Sequence, residues 1–232
     1  MVADDFFLHR GNSMSNTVFS IRQAAVIGAG TMGRGIVMSL ANAGIAVLWL
    51  DNNPQMLEQA LSAIADTWDH SVRQGRISDE QAAQRRACVT AVGDYSALKD
   101  ADLVIEAVYE NLELKQQIFR TLDGIAKPSA ILASNTSALD IDAIAAVTAR
   151  PQQVLGLHFF SPAHIMKLLE IVRGAKTAPA VLDAAQELGR RIGKVCVVAG
   201  NCDGFIGNRM LIGYRRESEF VLLEGASPTQ VD

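Results

Sequence analysis

From Ile21 onward, short β-branched runs alternate with longer stretches whose apolar positions recur at helical spacing. That alternation is the sequence form of a parallel sheet with crossover helices. It predicts strands over 23–27, 46–50, 88–92, 102–108, 130–134, 154–160, 168–172 and 195–199, with helices in most of the gaps. Local chemistry agrees with the periodicity. Gly44 stops the first helix, and Asn53-Pro54 supplies a cap and a first-turn proline for the second. The segment 57–86 is polar on one side and reads as one or two solvent-facing helices broken near Gly75.

Both ends depart from this pattern. Residues 1–20 hold Asp4-Asp5-Phe6-Phe7-Leu8 and then a polar stretch with neither period 2 nor 3.6, which reads as a leader or linker. Beyond Ala199, Asp203 is placed to cap a helix over 203–224 ended by Gly225, and Thr229–Asp232 resembles the start of another. The expected organisation is therefore a leader (1–20), an α/β domain (21–200) and the start of an incomplete helical domain (201–232).

Composition narrows the partners. At 232 residues the chain is long for one ordinary domain and short for two. A net charge of -4 offers no long-range positive field for nucleic acid or an anionic membrane, so any anionic ligand must be held locally. Cys88, Cys196 and Cys202 are odd in number and lack metal-ligand spacing. They read as small buried hydrophobes of a reducing compartment: cytoplasm, or a mitochondrial or peroxisomal matrix. No apolar run approaches the roughly 18 residues of a membrane helix, and the start Met-Val-Ala-Asp-Asp is acidic where a secretion signal is basic.

Gly28-Ala29-Gly30-Thr31-Met32-Gly33 directly follows the strand Ala24-Ala-Val-Ile27 and opens a helix near Met32. The first glycine permits the tight turn, the second lets backbone approach a pyrophosphate, and the third lets helix and strand pack closely. The helix N-terminus then presents free N–H groups and its positive dipole end to the phosphates. Such a motif is weak evidence alone; here the next strand ends in Asp51, about 20 residues on, where a carboxylate can accept both adenosine ribose hydroxyls. Asn52 and Asn53 follow, and no arginine stands ready for a 2′-phosphate, so NAD is expected over NADP. The fold expected is thus a Rossmann-type, doubly wound α/β domain with a mostly parallel sheet.

In that fold ligands lie at the carboxyl ends of the strands. Glu110, Asn135-Thr-Ser137 and His158 all follow or end predicted strands. A histidine in an apolar strand is more often a satisfied core residue than a catalyst. After His158, however, the chain reads Phe-Phe-Ser161-Pro162-Ala, a turn, and then Met166-Lys-Leu-Leu-Glu170-Ile-Val172. A hairpin-like return would set Glu170 beside His158. A charge in an apolar strand is costly unless paired, and a buried imidazole–carboxylate pair is an acid/base device suited to alcohol oxidation. A purely structural ion pair is the competing reading.

These residues resemble the L-3-hydroxyacyl-CoA dehydrogenases. The resemblance is carried by Gly28–Gly33 with Met32, Glu106-Ala-Val-Tyr-Glu110-Asn-Leu-Glu-Leu-Lys115, Ser134-Asn-Thr-Ser137, the stretch from His158 to Glu170, and Asp203-Gly-Phe-Ile-Gly-Asn208-Arg. It runs in order from about residue 21 to the end. The resemblance implies NAD-dependent oxidation of L-3-hydroxyacyl-CoA to 3-ketoacyl-CoA in fatty acid β-oxidation, with an acyl-CoA substrate. It makes His158 the general base and Glu170 its partner. Ser137 and Asn208 become polar contacts to the reacting oxygens, and Glu110 and Lys115 lie near the nicotinamide ribose and the substrate or CoA. Read without it, Glu110 and Lys115 are exposed charges at a helix start.

Ser161 stands where monofunctional members usually have Asn, so the stretch is more similar to multifunctional enzymes in which an enoyl-CoA hydratase domain precedes the dehydrogenase. The resemblance also implies a helical C-terminal domain that completes the acyl-CoA site and usually makes a homodimer, with only its first helix present and turnover by this chain correspondingly poor. Two alternatives stand beside it. The 6-phosphogluconate-like β-hydroxyacid dehydrogenases share the glycine motif but need a lysine four residues before the interdomain asparagine, where this chain has Gly204. A non-catalytic NAD-binding relative has no need of His158 with Glu170.

Overall fold

A computed structural model describes residues 20–232. The expected leader over 1–20 thus lies, but for Ser20, outside the described residues. Among them, eight strands form one sheet in the order β3-β2-β1-β4-β5-β6-β7-β8. They are β1 (Gln23–Ile27), β2 (Ala46–Leu50), β3 (Val89–Ala91), β4 (Leu103–Glu106), β5 (Ile131–Ser134), β6 (Val154–Phe159), β7 (Leu168–Arg173) and β8 (Val195–Gly200). Every expected strand is present. All neighbours pair parallel except β6 with β7, which run antiparallel.

Parallel strands need covers on both faces, and the alternation along β1 shows how the chain supplies them. Ala24 and Val26 join one core with Ile36 and Leu40 of α1 (Thr31–Asn42) and Leu57 and Trp68 of α2 (Pro54–Arg73). Ala25 and Ile27 join the other, with Phe119 and Leu122 of α4 (Leu112–Ile125) and Ile144 of α5 (Ile141–Ala145). Each such Ile, Leu or Phe contributes roughly 1.5–3 kcal/mol by leaving water. Gly44 turns the chain after α1 at φ 71°, and Asn53 Oδ1 caps α2 by accepting from Gln55 N and Met56 N. The break near Gly75 separates α2 from α3 (Asp79–Ala87). After α6 (Pro179–Arg191) and β8 come α7 (Gly207–Leu223) and the short α8 (Pro228–Val231).

Two expectations need correction. The helix expected over 203–224 begins at Gly207, and Asp203 does not cap it, because a tight turn through Gly204 and Phe205 comes between them. The cysteines, all free thiols, divide: Cys88 and Cys196 are half-buried and pack against the core, whereas Cys202 is exposed.

The functional consequence lies in the strand order. Between β1 and β4 the direction of winding reverses, and at such a switch point the loops leaving the strand ends part to form a crevice. Gly28, Asp51 and Ala107 leave β1, β2 and β4 side by side, since Ile27 pairs with both Leu50 and Glu106.

Candidate active site and cofactor cradle

A cavity of about 620 Å³ opens at this switch point, lined by the Gly28–Met32 turn, Asp51, Met56, Tyr95, Ala107 and Tyr109. That volume lies within the range of small-molecule sites. The glycine turn is held from beneath: Trp49 Nε1 donates to Gly28 O at 3.0 Å, and Gly28 N donates to Leu50 O at 2.8 Å. A Cβ on Gly28, at φ 109°, would sit 2.5 Å from Ala107 O. One on Gly33 would sit 2.0 Å from Gly28 O. Gly30 differs, for nothing lies within 4 Å of its missing Cβ, so its absence keeps the space above the α1 N-terminus open. An open glycine at a helix N-terminus is what a pyrophosphate needs.

Asp51 is fixed by its own loop. Oδ2 accepts from Ala29 N at 2.7 Å and Oδ1 from Asn53 N at 2.8 Å, so each oxygen keeps a lone pair for a hydroxyl. No arginine or lysine lines this part of the cavity. The residues present therefore fit NAD.

Beyond the cradle, β6 and β7 bring the expected pair together. Antiparallel pairing places His158 directly opposite Glu170, and Nδ1 lies 2.6 Å from Glu170 Oε2. Both are buried, at 5% and 1% exposure. Glu170 Oε1 accepts from Ile206 N at 3.1 Å and Gly207 N at 2.8 Å, the first N–H groups of α7. A carboxylate already accepting two backbone N–H bonds leaves the imidazole to supply the proton of the third contact. That assigns hydrogen to Nδ1 and leaves the Nε2 lone pair free. The ring centroid of Phe160 lies 4.5 Å from that of the imidazole.

A second network meets α7 one residue later. Glu110 Oε1 accepts from Thr136 Oγ1 (2.6 Å), Ser137 N (2.8 Å) and Ser137 Oγ (3.1 Å), and Asn208 Nδ2 donates to Ser137 O at 3.2 Å. Burial pushes the Glu110 carboxyl up, but the Thr136 and Ser137 hydrogen bonds and the charge of Lys115 outweigh it and hold the group below the usual glutamate range. The first turn of α7 thus touches both groups, Glu170 through Gly207 and Ser137 through Asn208.

Lys115 does not fit the reading of it as an exposed charge. It is 1% exposed, donates to Glu106 Oε1 at 2.7 Å and lies 3.5 Å from Glu110 Oε2. Glu106, fully buried at the end of β4, also accepts from Val108 N at 2.7 Å and Ser134 Oγ at 2.6 Å. Glu106 and Thr136 went unassigned in the sequence, although an acid closing the apolar run Leu-Val-Ile carries the same signal that marks Glu170. Lys194 was also unassigned. It is buried, and its ammonium donates to the carbonyls of Ala163 and Met166, pinning the β6–β7 turn. No group of metal-ligating side chains occurs among the described residues.

A doubly wound sheet whose switch-point cavity is lined by an open glycine turn and Asp51, together with a buried imidazole–carboxylate pair on β6 and β7, defines the class: a dehydrogenase-type dinucleotide-binding domain. Comparison with known proteins gives the family. The model of the 3-hydroxyacyl-CoA dehydrogenase NAD-binding domain matches residues 23–202, and the chain belongs to that family. It is 47% identical over 212 residues to a peroxisomal bifunctional enzyme of Danio rerio, and 42% identical to that of Homo sapiens. Each match covers 91% of this chain, which spans only 29% of the length of either relative. Among solved structures, (S)-3-hydroxybutyryl-CoA dehydrogenase from Ralstonia eutropha aligns with a TM-score of 0.89 at 36% identity, over 92% of this chain and 76% of that one. The dehydrogenase part of multifunctional enzyme 1 from C. elegans aligns with a TM-score of 0.74 at 29% identity, over 98% of this chain and 53% of that one.

Proposed function

We propose that this chain is the cofactor-binding and base-bearing part of an enzyme that oxidises L-3-hydroxyacyl-CoA to 3-ketoacyl-CoA in fatty acid β-oxidation. The observation that carries the reading is the 2.6 Å contact between His158 Nδ1 and Glu170 Oε2, because with Nδ1 held by the carboxylate Nε2 is left as a proton acceptor. NAD, when bound, supplies the acceptor for the hydride leaving C3.

His158 Nε2 takes the proton from the C3 hydroxyl while the C–O bond becomes C=O, and Glu170 stabilises the imidazolium that forms. In the reverse direction the same nitrogen returns the proton. Ser137 and Asn208, joined by the Asn208 Nδ2 to Ser137 O hydrogen bond, orient the substrate's oxygens. Glu110 orders Ser137, and Lys115 acts on the site through Glu110. Gly28, Ala29, Gly30, Thr31, Met32, Gly33 and Asp51 hold the cofactor.

The organisation is proposed in the same terms: residues 21–200 bind NAD, and 201–232 begin a helical domain that closes over the acyl chain and forms a homodimer. Met210, Ile212, Tyr214 and Leu223 of α7 are largely exposed apolar side chains that such a domain would cover. The named relatives are peroxisomal, which favours an organelle matrix over the cytoplasm for this chain. NADH oxidation on adding acetoacetyl-CoA tests the activity. Turnover that depends on both substrates supports the reading, and none from a protein carrying its full C-terminal region rejects it in favour of a non-catalytic NAD-binding relative.

A further inference from the structure

Phe205 is the one non-glycine residue with a left-handed backbone among the described residues, at φ 50°. A bulky residue holds that conformation only where its surroundings over-determine it. Gly204 before it has φ 67°, so two consecutive left-handed residues reverse the chain at the start of α7. A Cβ on Gly204 would lie 2.9 Å from Arg209 N, which shows how closely the turn folds onto the helix. The reversal aims the N–H groups of Ile206 and Gly207 at a single atom, Glu170 Oε1, at 3.1 and 2.8 Å. The Phe205 ring is 1% exposed, and its centroid lies 5.7 Å from that of His158.

We infer that Phe205 is a positioning residue for the His158–Glu170 pair, acting through its backbone. Its left-handed turn delivers the two donors that stop the Glu170 carboxylate from rotating, and only a fixed carboxylate keeps Oε2 on Nδ1. The terminal torsion of a glutamate is otherwise broad. Without the donors the carboxylate swings off the imidazole, the proton redistributes between the ring nitrogens, and Nε2 is no longer reserved as the acceptor. Filling the core does not call for this conformation, because a buried phenyl ring can be presented from ordinary φ.

The inference rests on the proposed function only for its kinetic consequence, so its primary test is spectroscopic. Leucine and isoleucine are isomers of equal apolarity, but branching at Cβ makes isoleucine far less tolerant of positive φ. In the full chain labelled with 15N-histidine, the Nδ1–H of His158 is assigned by the loss of its low-field proton signal in His158→Ala. Phe205→Leu is expected to keep that signal. Phe205→Ile is expected to lose at least about four-fifths of its intensity, which corresponds to the left-handed turn falling from the dominant state to about one-fifth of the population. In an enzyme that turns over, kcat falls at least about tenfold in Phe205→Ile relative to Phe205→Leu, with equal NADH affinity. Full intensity in Phe205→Ile overturns the inference, and so does loss of the signal in a folded Phe205→Leu protein. The signal difference without turnover in any variant supports the positioning role and removes the base assignment instead.

Discussion

Replacing Gly30 with alanine separates cofactor binding from folding. Gly30 is the N-cap of α1 with φ -69° and ψ -174°, a conformation alanine adopts freely. No atom lies within 4 Å of the added methyl. The loss of backbone freedom in the unfolded chain favours the variant by about 0.4–1 kcal/mol, and the poorer capping by alanine opposes it by a similar amount. Stability should therefore stay within about 1 kcal/mol of the parent. Binding should not, because the methyl occupies the approach to the α1 N-terminus and pushes the pyrophosphate off the backbone donors. Losing one or two charge-assisted hydrogen bonds at about 1.5–3 kcal/mol each predicts NADH affinity lower by roughly 10-fold at the least and about 10⁴-fold at the most. Gly33→Ala is the contrasting case, since its methyl would sit 2.0 Å from Gly28 O. It should lose about 3 kcal/mol or more of stability by overpacking. Calorimetric titration with NADH beside denaturant unfolding reads both effects. A folded Gly30→Ala protein that binds NADH within threefold of the parent would refute the cradle.

Three further outcomes follow from the charged groups around the site. Glu106→Gln leaves Lys115, at 1% exposure, with the Val108 carbonyl at 3.4 Å and the Glu110 carboxylate at 3.5 Å in place of its close ion pair. It should cost about 3 kcal/mol in urea unfolding, and the double variant with Lys115→Met should recover part of that. Lys194→Met removes the donors to the carbonyls of Ala163 and Met166. It should cost about 2 kcal/mol and reduce kcat more than NADH affinity, because the freed turn carries Phe160. The Glu110 carboxyl lies below its ordinary value, so its contribution to stability is complete above that value and is lost as pH falls through the depressed one. The difference in melting temperature between the parent and Glu110→Gln should thus be constant from neutral pH down to about 4.5 and shrink only below it.

The elements most legible in the sequence were those under a single dominant constraint. The inner strands announce themselves because burial on two faces demands continuous apolar runs, and Gly44, Asn53-Pro54 and Gly75 punctuate the helices by local chemistry alone. The pairing of His158 with Glu170 was legible too, since a turn between two strands sets their register and a buried acid needs a partner. Boundaries were missed where the site intervened. β4 ends at Glu106 rather than 108 because Ala107 and Val108 leave the ladder to line the cavity. α7 begins at Gly207 rather than at Asp203 because its N–H groups are claimed by Glu170, 36 and 37 residues earlier in the chain. Lys115 looked solvent-exposed from its place five residues after Glu110 in a polar helix. Only tertiary packing brings Glu106 beneath it.

The proposed oxidation depends on His158 Nε2 as the proton acceptor. The most direct measurement is kcat for L-3-hydroxyacyl-CoA oxidation by His158→Ala, in a protein carrying its full C-terminal region, alongside its NADH dissociation constant. The account predicts kcat lower by about 10²-fold or more with NADH affinity unchanged. A kcat within a few-fold of the parent would contradict it, whatever the affinity.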